Sequence, residues 1–88
     1  MSSLPAEILQ ILATHSDAAV DYVAVFMFLN TVAGGHYEER YPEADIRASL
    51  RLLLDQGAVD AWQAGTCLPP ETVLPGVTPC HFRLHAAL

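Results

Sequence analysis

Apolar positions change their period along the chain, and each period predicts a different element. From Leu4 onward, Leu4, Ile8, Ile11, Leu12 and His15 form one stripe at helical spacing, which predicts a helix over residues 4–14. Ser2 or Ser3 serves as its cap, Pro5 sits in the opening turn, and Glu7 lies near the positive end of the dipole. A second segment, residues 18–33, runs from a cap at Ser16 or Asp17 to Gly34–Gly35. Its stretch Tyr22 to Leu29 is apolar on every side, which predicts a central helix or half of an interface. The aromatic and β-branched residues of 22–29 also fit a strand, so both readings stay open there.

The third pattern is the strongest. Pro42 opens residues 42–56, in which Ile46, Leu50, Leu53, Leu54 and Gly57 fall on one face and Gly57 supplies a left-handed stop. Glu43, Arg47, Arg51 and Asp55 make the opposite stripe, each four residues from the next. Val59 leads into a strand over 58–63, and Cys80, Phe82 and Leu84 alternate with His81, Arg83 and His85 in a second strand over 80–86. Between them, residues 65–79 carry four of the six prolines, as a long loop. The pattern therefore predicts one α+β domain over residues 1–88, three helices followed by a two-stranded hairpin with a proline-rich loop.

The stretch L-x-x-L-L-x-x-G-x-V around Leu50 to Val59, with three helices ahead of strand–loop–strand, resembles the winged-helix family, the winged form of helix-turn-helix domains. That resemblance implies a third helix that enters the major groove and a wing that meets the DNA backbone. Carried over, Arg47 and Arg51 would face DNA, Arg40 would stand at the entrance to the helix, and Arg83 would lie on the wing.

Composition changes this picture. Ten acids stand against four arginines, with no lysine, for a net charge of −6. Such a field repels DNA, RNA and anionic membranes, and phosphate contacts need several basic residues. Glu43 and Asp45 also occupy the end of the third helix where a reader of bases presents donors, and the wing loop has no basic residue. A solvated ladder, Glu43 with Arg47 and Arg51 with Asp55, accounts for both helix arginines without a ligand.

At 52% hydrophobic residues and a mean hydropathy of +0.30, the chain has more apolar side chains than a small core hides, which points to a protein interface. The residues expected to form it are Tyr22, Phe26, Met27 and Leu29, with Tyr37 and Tyr41 at the rim. The apolar run is far shorter than the ~20 residues of a membrane span, and no Lys or Arg precedes Arg40 as in a signal peptide, so a cytoplasmic protein is expected.

Candidate chemistry is sparse. His81 and His85 share a strand face but stand ~13 Å apart at ~3.3 Å per residue, too far for one zinc ion. Cys67, Cys80 and one histidine could form a mixed site if the loop folds back, and the two cysteines could bond if their Cα atoms come within ~7 Å. In a reducing cytoplasm two thiols are expected. With no catalytic motif, the reading is of no enzyme and no cofactor. The expected function is a small acidic regulatory module acting through protein contacts as a homodimer. The alternatives are a winged-helix transcription regulator on DNA, and an acidic phage-type inhibitor of a nucleic-acid-binding protein.

Overall fold

The computed structural model describes residues 3–32 and 34–85. Helix α1 (Leu4–Thr14) starts where Ser3 Oγ accepts the Ala6 N–H at 3.3 Å, and it buries Ile8 and Leu12. Helix α3 (Glu43–Asp55) begins at Pro42 and buries Ile46, Leu50, Leu53 and Leu54. It ends in a glycine-stopped turn. Gly57, at φ +74°, lets its own N–H reach Leu54 O at 3.1 Å and lets the Ala58 N–H reach Leu53 O at 3.0 Å. These bonds satisfy carbonyls that a helix end leaves open, and they aim the chain into strand β4 (Val59–Gln63).

The expected helix over 18–33 is instead a strand, a helix and a strand. β1 (Val20–Asp21) precedes α2 (Tyr22–Asn30), and β2 (Thr31–Val32) follows it; residue 33 lies outside the described residues. The cap is Asp21, whose carboxylate accepts the Ala24 N–H at 2.8 Å, and not Ser16 or Asp17. Val20 gives the physical reason. It is buried and pairs with Phe82, which holds residues 20–21 extended before a helix can begin. The run 22–29 is thereby helical. Past α2, β2 turns back through the two glycines onto β3 (His36–Tyr37).

The hairpin differs as well. β4 turns within two residues into β5 (Thr66–Leu68), with Ala64 and Gly65 at φ 50° and 81°. Two left-handed residues match the natural twist of a hairpin. The chain then makes a 3₁₀ turn (Pro70–Thr72) and a second turn at 74–78 before β6 (His81–Leu84), so the segment expected as one long loop contains a strand and two turns. β6 adds to the other side of β4, giving an antiparallel sheet in the order β1–β6–β4–β5. Residue 86 of the expected last strand lies outside the described residues.

The helices cover this sheet, and the core is their shared layer. Ile8, Leu12, Val25, Leu29, Ile46, Leu50, Leu53, Leu54, Val59, Ala61, Val73 and Phe82 are buried together. One polar side chain is buried among them. Asn30 accepts the Tyr41 N–H at 3.0 Å and donates to Tyr41 O at 3.2 Å, so it closes the backbone of the segment between β3 and α3.

Candidate functional site

The sheet order separates the candidate metal ligands. β5 and β6 flank β4 on opposite sides, so Trp62 pairs with Cys67 on one side and His81 on the other. Two strand spacings amount to ~9.6 Å, beyond what a disulfide tolerates. Both cysteines are free thiols; burial, and then the negative charge of Asp21, push the Cys80 thiol above its ordinary value. His85 lies 2.9 Å from the Asp60 carboxylate. Among the described residues no three His, Cys, Asp or Glu side chains converge on a common point.

The arginines expected to meet DNA are engaged within the chain. Arg51 carries five donors, and it uses them on two sides. It meets Asp55 Oδ1 at 2.8 and 3.1 Å, and it donates to Val73 O at 2.5 Å and Pro70 O at 2.6 Å. That grip holds the proline-rich segment against α3, with Val73 buried beneath. Arg47 pairs with Glu43 at 2.6 Å and lies over the Tyr22 ring, 5.8 Å from its centroid. Gly76 approaches it so closely that a Cβ there would stand 2.7 Å from Arg47 Nε. Arg40 pairs with Glu7 at 3.2 Å and lies 5.2 Å from the Tyr41 ring centroid, while the Tyr41 hydroxyl donates to the same carboxylate. Arg83 lies 6.0 Å from the Trp62 ring centroid. Arg40 and Arg83 thus sit apart from the α3 pair, and on α3 the loop engages Arg51 while Arg47 stays exposed.

The interface candidates divide. Leu29 is buried in the core, so its place in an interface is corrected: its position on α2 faces inward with Val25. Tyr41 is tied to Glu7 and Asn30 on the α1 side. Tyr22, Phe26, Met27 and Tyr37 do come together or lie outward. The Phe26 ring is 6.4 Å from Tyr22 and 6.2 Å from Tyr37, Tyr37 is exposed, and Met27 is nearly half exposed. To these the fold adds Val23 and Val77, 64% and 65% exposed. Val23 shares the outward face of α2 with Met27 at i,i+4, a signal present in the sequence. Val77 could not be found that way, since only folding of the loop brings it beside α2.

Two hollows of about 250 Å³ each lie on this face. One runs between the start of α2 and the loop, lined by Asp21, Tyr22, Val23, Gly76, Val77 and Pro79 among others. The second lies toward the start of α3, lined by Tyr22, Val23, Phe26 and Glu43. Tyr22 and Val23 belong to both. The Tyr22 hydroxyl is buried without a hydrogen-bond partner among the described residues. Burial raises its pKa above the ordinary value, and Arg47 and Glu43 beside it act in opposite directions.

A third hollow of about 280 Å³, between α1 and α2, is lined by Glu7, Ile11, His15, Phe28 and Arg40 among others. Its charged groups answer one another through the Glu7–Arg40 pair, and His15 stacks on Phe28 with ring centroids 4.4 Å apart.

No family model, curated protein or solved structure matches this chain. No helix among the described residues is long and apolar enough to cross a membrane.

Proposed function

We propose that this protein is a small acidic regulatory module of winged-helix type that works in the cytoplasm through protein contacts rather than catalysis. The observation that carries the reading is the exchange of roles between two surfaces. The arginine stripe of α3 is engaged by Glu43, Asp55 and the loop, whereas Val23 and Met27 on α2, with Tyr37 and with Val77 from the loop, stay open. Aromatics and methionine are enriched in the cores of protein interfaces, and an apolar patch of this kind marks one. The winged-helix part is supported by element order: helix, strand, helix, a short two-stranded ladder, helix, then strands, with β6 between β1 and β4.

A second reading, an acidic inhibitor that occupies a basic nucleic-acid-binding surface, is favoured by one observation. Glu38, Glu39, Asp45 and Glu71 are exposed and have no ion pair among the described residues.

Random duplex DNA at ~50 mM and ~200 mM salt tests the reading, because phosphate contacts weaken steeply across that range. The expected result is no binding at either salt, by fluorescence anisotropy. Binding that falls with salt would contradict the reading and return Arg40, Arg47 and Arg51 to a phosphate-facing role.

A further inference from the structure

We infer that the outward face of α2 pairs with the same face of a second copy of this chain, as a symmetric dimer. This inference rests on the protein-binding reading and names its partner.

The face has the shape for contact with a helix. Val23 and Met27 form one row along α2, and Ala24 and Phe28 form the next, each at i,i+4 spacing with a groove between them. Val23 is 64% exposed and Met27 and Phe28 44% each, while Ala24 is small and half-buried. Rows at this spacing fit the matching grooves of another helix at a crossing of about −50°, and the small side chain lets the two backbones approach. Both flanks are held in place before any partner arrives. The Phe28 ring stacks on His15 at 4.4 Å on one side, and Tyr37 stacks on Phe26 at 6.2 Å on the other. Little side-chain freedom is therefore lost on association.

Charge decides the partner. The one ionisable residue of α2 is Tyr22, whose hydroxyl is buried, and the side chain of Asn30 is buried as well. The face thus offers no charge or hydrogen bond to select and orient an unlike partner. A second copy needs neither, because the two-fold axis sets identical rows against identical grooves. Two chains of net charge −6 repel each other, and a face without acids is where they meet with no carboxylate desolvated. Glu38 and Glu39, which follow the exposed Tyr37, stay at the rim, and Asp21 remains at the end of α2 as its cap. A standard interface takes ~800 Å² from each partner, roughly a seventh of this chain's 5431 Å², so Tyr37 and Phe28 on the flanks belong to it along with the two rows.

The test is sedimentation equilibrium of the full chain from ~1 µM to ~500 µM, at ~50 mM and ~500 mM salt. The mass should rise with concentration from 9.5 kDa toward twice that value. The dimer should tighten about threefold or more at the higher salt, which screens repulsion between the copies and leaves apolar contact intact. Met27→Glu and Val23→Glu should each weaken the dimer at least ~tenfold, since each places a carboxylate at the crossing. Leu52→Glu adds the same charge at an exposed position of α3, off this face, and should change the dimer less than ~twofold. All three positions are exposed in the single chain, so thermal melts of the variants at ~1 µM should stay within a few degrees of wild type.

A dimer broken by Leu52→Glu but not by Met27→Glu or Val23→Glu would overturn the inference by placing the contact elsewhere. A dimer that loosens with salt would overturn it by showing that charge holds the copies together. A mass of 9.5 kDa throughout would also overturn it and leave the protein-binding reading to an unlike partner, because that reading falls on salt-dependent binding of duplex DNA and not on the oligomeric state.

Discussion

Replacing Phe82 by alanine is expected to lower the unfolding free energy by about 3–5 kcal/mol. Phe82 is 1% exposed and stands at the middle of the sheet, where β6 pairs Phe82 with Val20 on one side and Ala61 on the other. The ring is the largest side chain in the core, and its removal takes contacts from the helix layer and from the strand that lies between β1 and β4. At ~0.05–0.15 kcal/mol per residue a chain of this size holds roughly 4–13 kcal/mol in total, so much or all of its stability is at stake. Each kcal/mol corresponds to roughly 4–8 °C in a domain of this size, so a thermal melt should move down by ~12 °C or more, with no folded baseline at the severe end. Leu84→Ala, on the same strand but partly exposed, should cost less than ~1.5 kcal/mol. Equal losses at the two positions would contradict the placement of β6 at the centre.

Asn30→Leu is expected to cost about 2–4 kcal/mol, although leucine is the more apolar residue. Asn30 occupies a fully buried position and answers both backbone groups of Tyr41, N–H and C=O. Leucine fills the space and leaves both without a partner, and a buried backbone group without one carries its full desolvation cost. Asn30→Asp separates the two bonds. Its carboxylate still accepts from Tyr41 N–H, but it can no longer donate to Tyr41 O and it places a charge in the core. Burial would raise the folded pKa of that aspartate above its unfolded value of ~3.9. The sign follows from linkage: the variant keeps its stability below the unfolded value and loses it as pH rises through the folded one. Urea midpoints measured against wild type in the same buffers should therefore show a large deficit at pH 7 that narrows toward pH 4. A deficit independent of pH would mean that residue 30 acts by shape alone.

Some of this architecture was legible in the chain because local signals agreed. α1 and α3 each carry a one-sided apolar stripe between a start and a stop, and the pairs Glu43–Arg47 and Arg51–Asp55 form as their spacing predicts. The start of α2 was not legible. Val20 and Asp21 lie in an apolar stretch that suits a helix, and only the pairing of Val20 with Phe82, far along the chain, makes them a strand. β5 was hidden for a different reason. Its turn uses Ala64 where Asn or Asp is the usual signal, and Ala seldom adopts positive φ.

The candidate site follows the same division. The outward positions of α2 can be read from i,i+4 spacing, but the buried one, Leu29, cannot be told from them in a segment that is apolar all round. The grip of Arg51 on Pro70 and Val73 joins residues 19 and 22 apart, with no periodic trace in the sequence. That contact changes the functional reading most, because it turns a possible base-reading arginine into a fastener for the loop. Val77 then stands beside Val23, and the apolar face becomes continuous across two distant segments.

The central claim is that the α3 arginines are held by groups of this chain, while the open apolar surface lies on α2 and the loop. The most direct measurement follows the arginine Nε–H resonances of Arg47 and Arg51 during a titration with random duplex DNA at ~50 mM salt, where phosphate contacts are strong. The account predicts that both stay in place, held by Glu43, Asp55, Pro70 and Val73. Shifts of these two resonances that reverse at ~200 mM salt would contradict it and make α3 the binding surface.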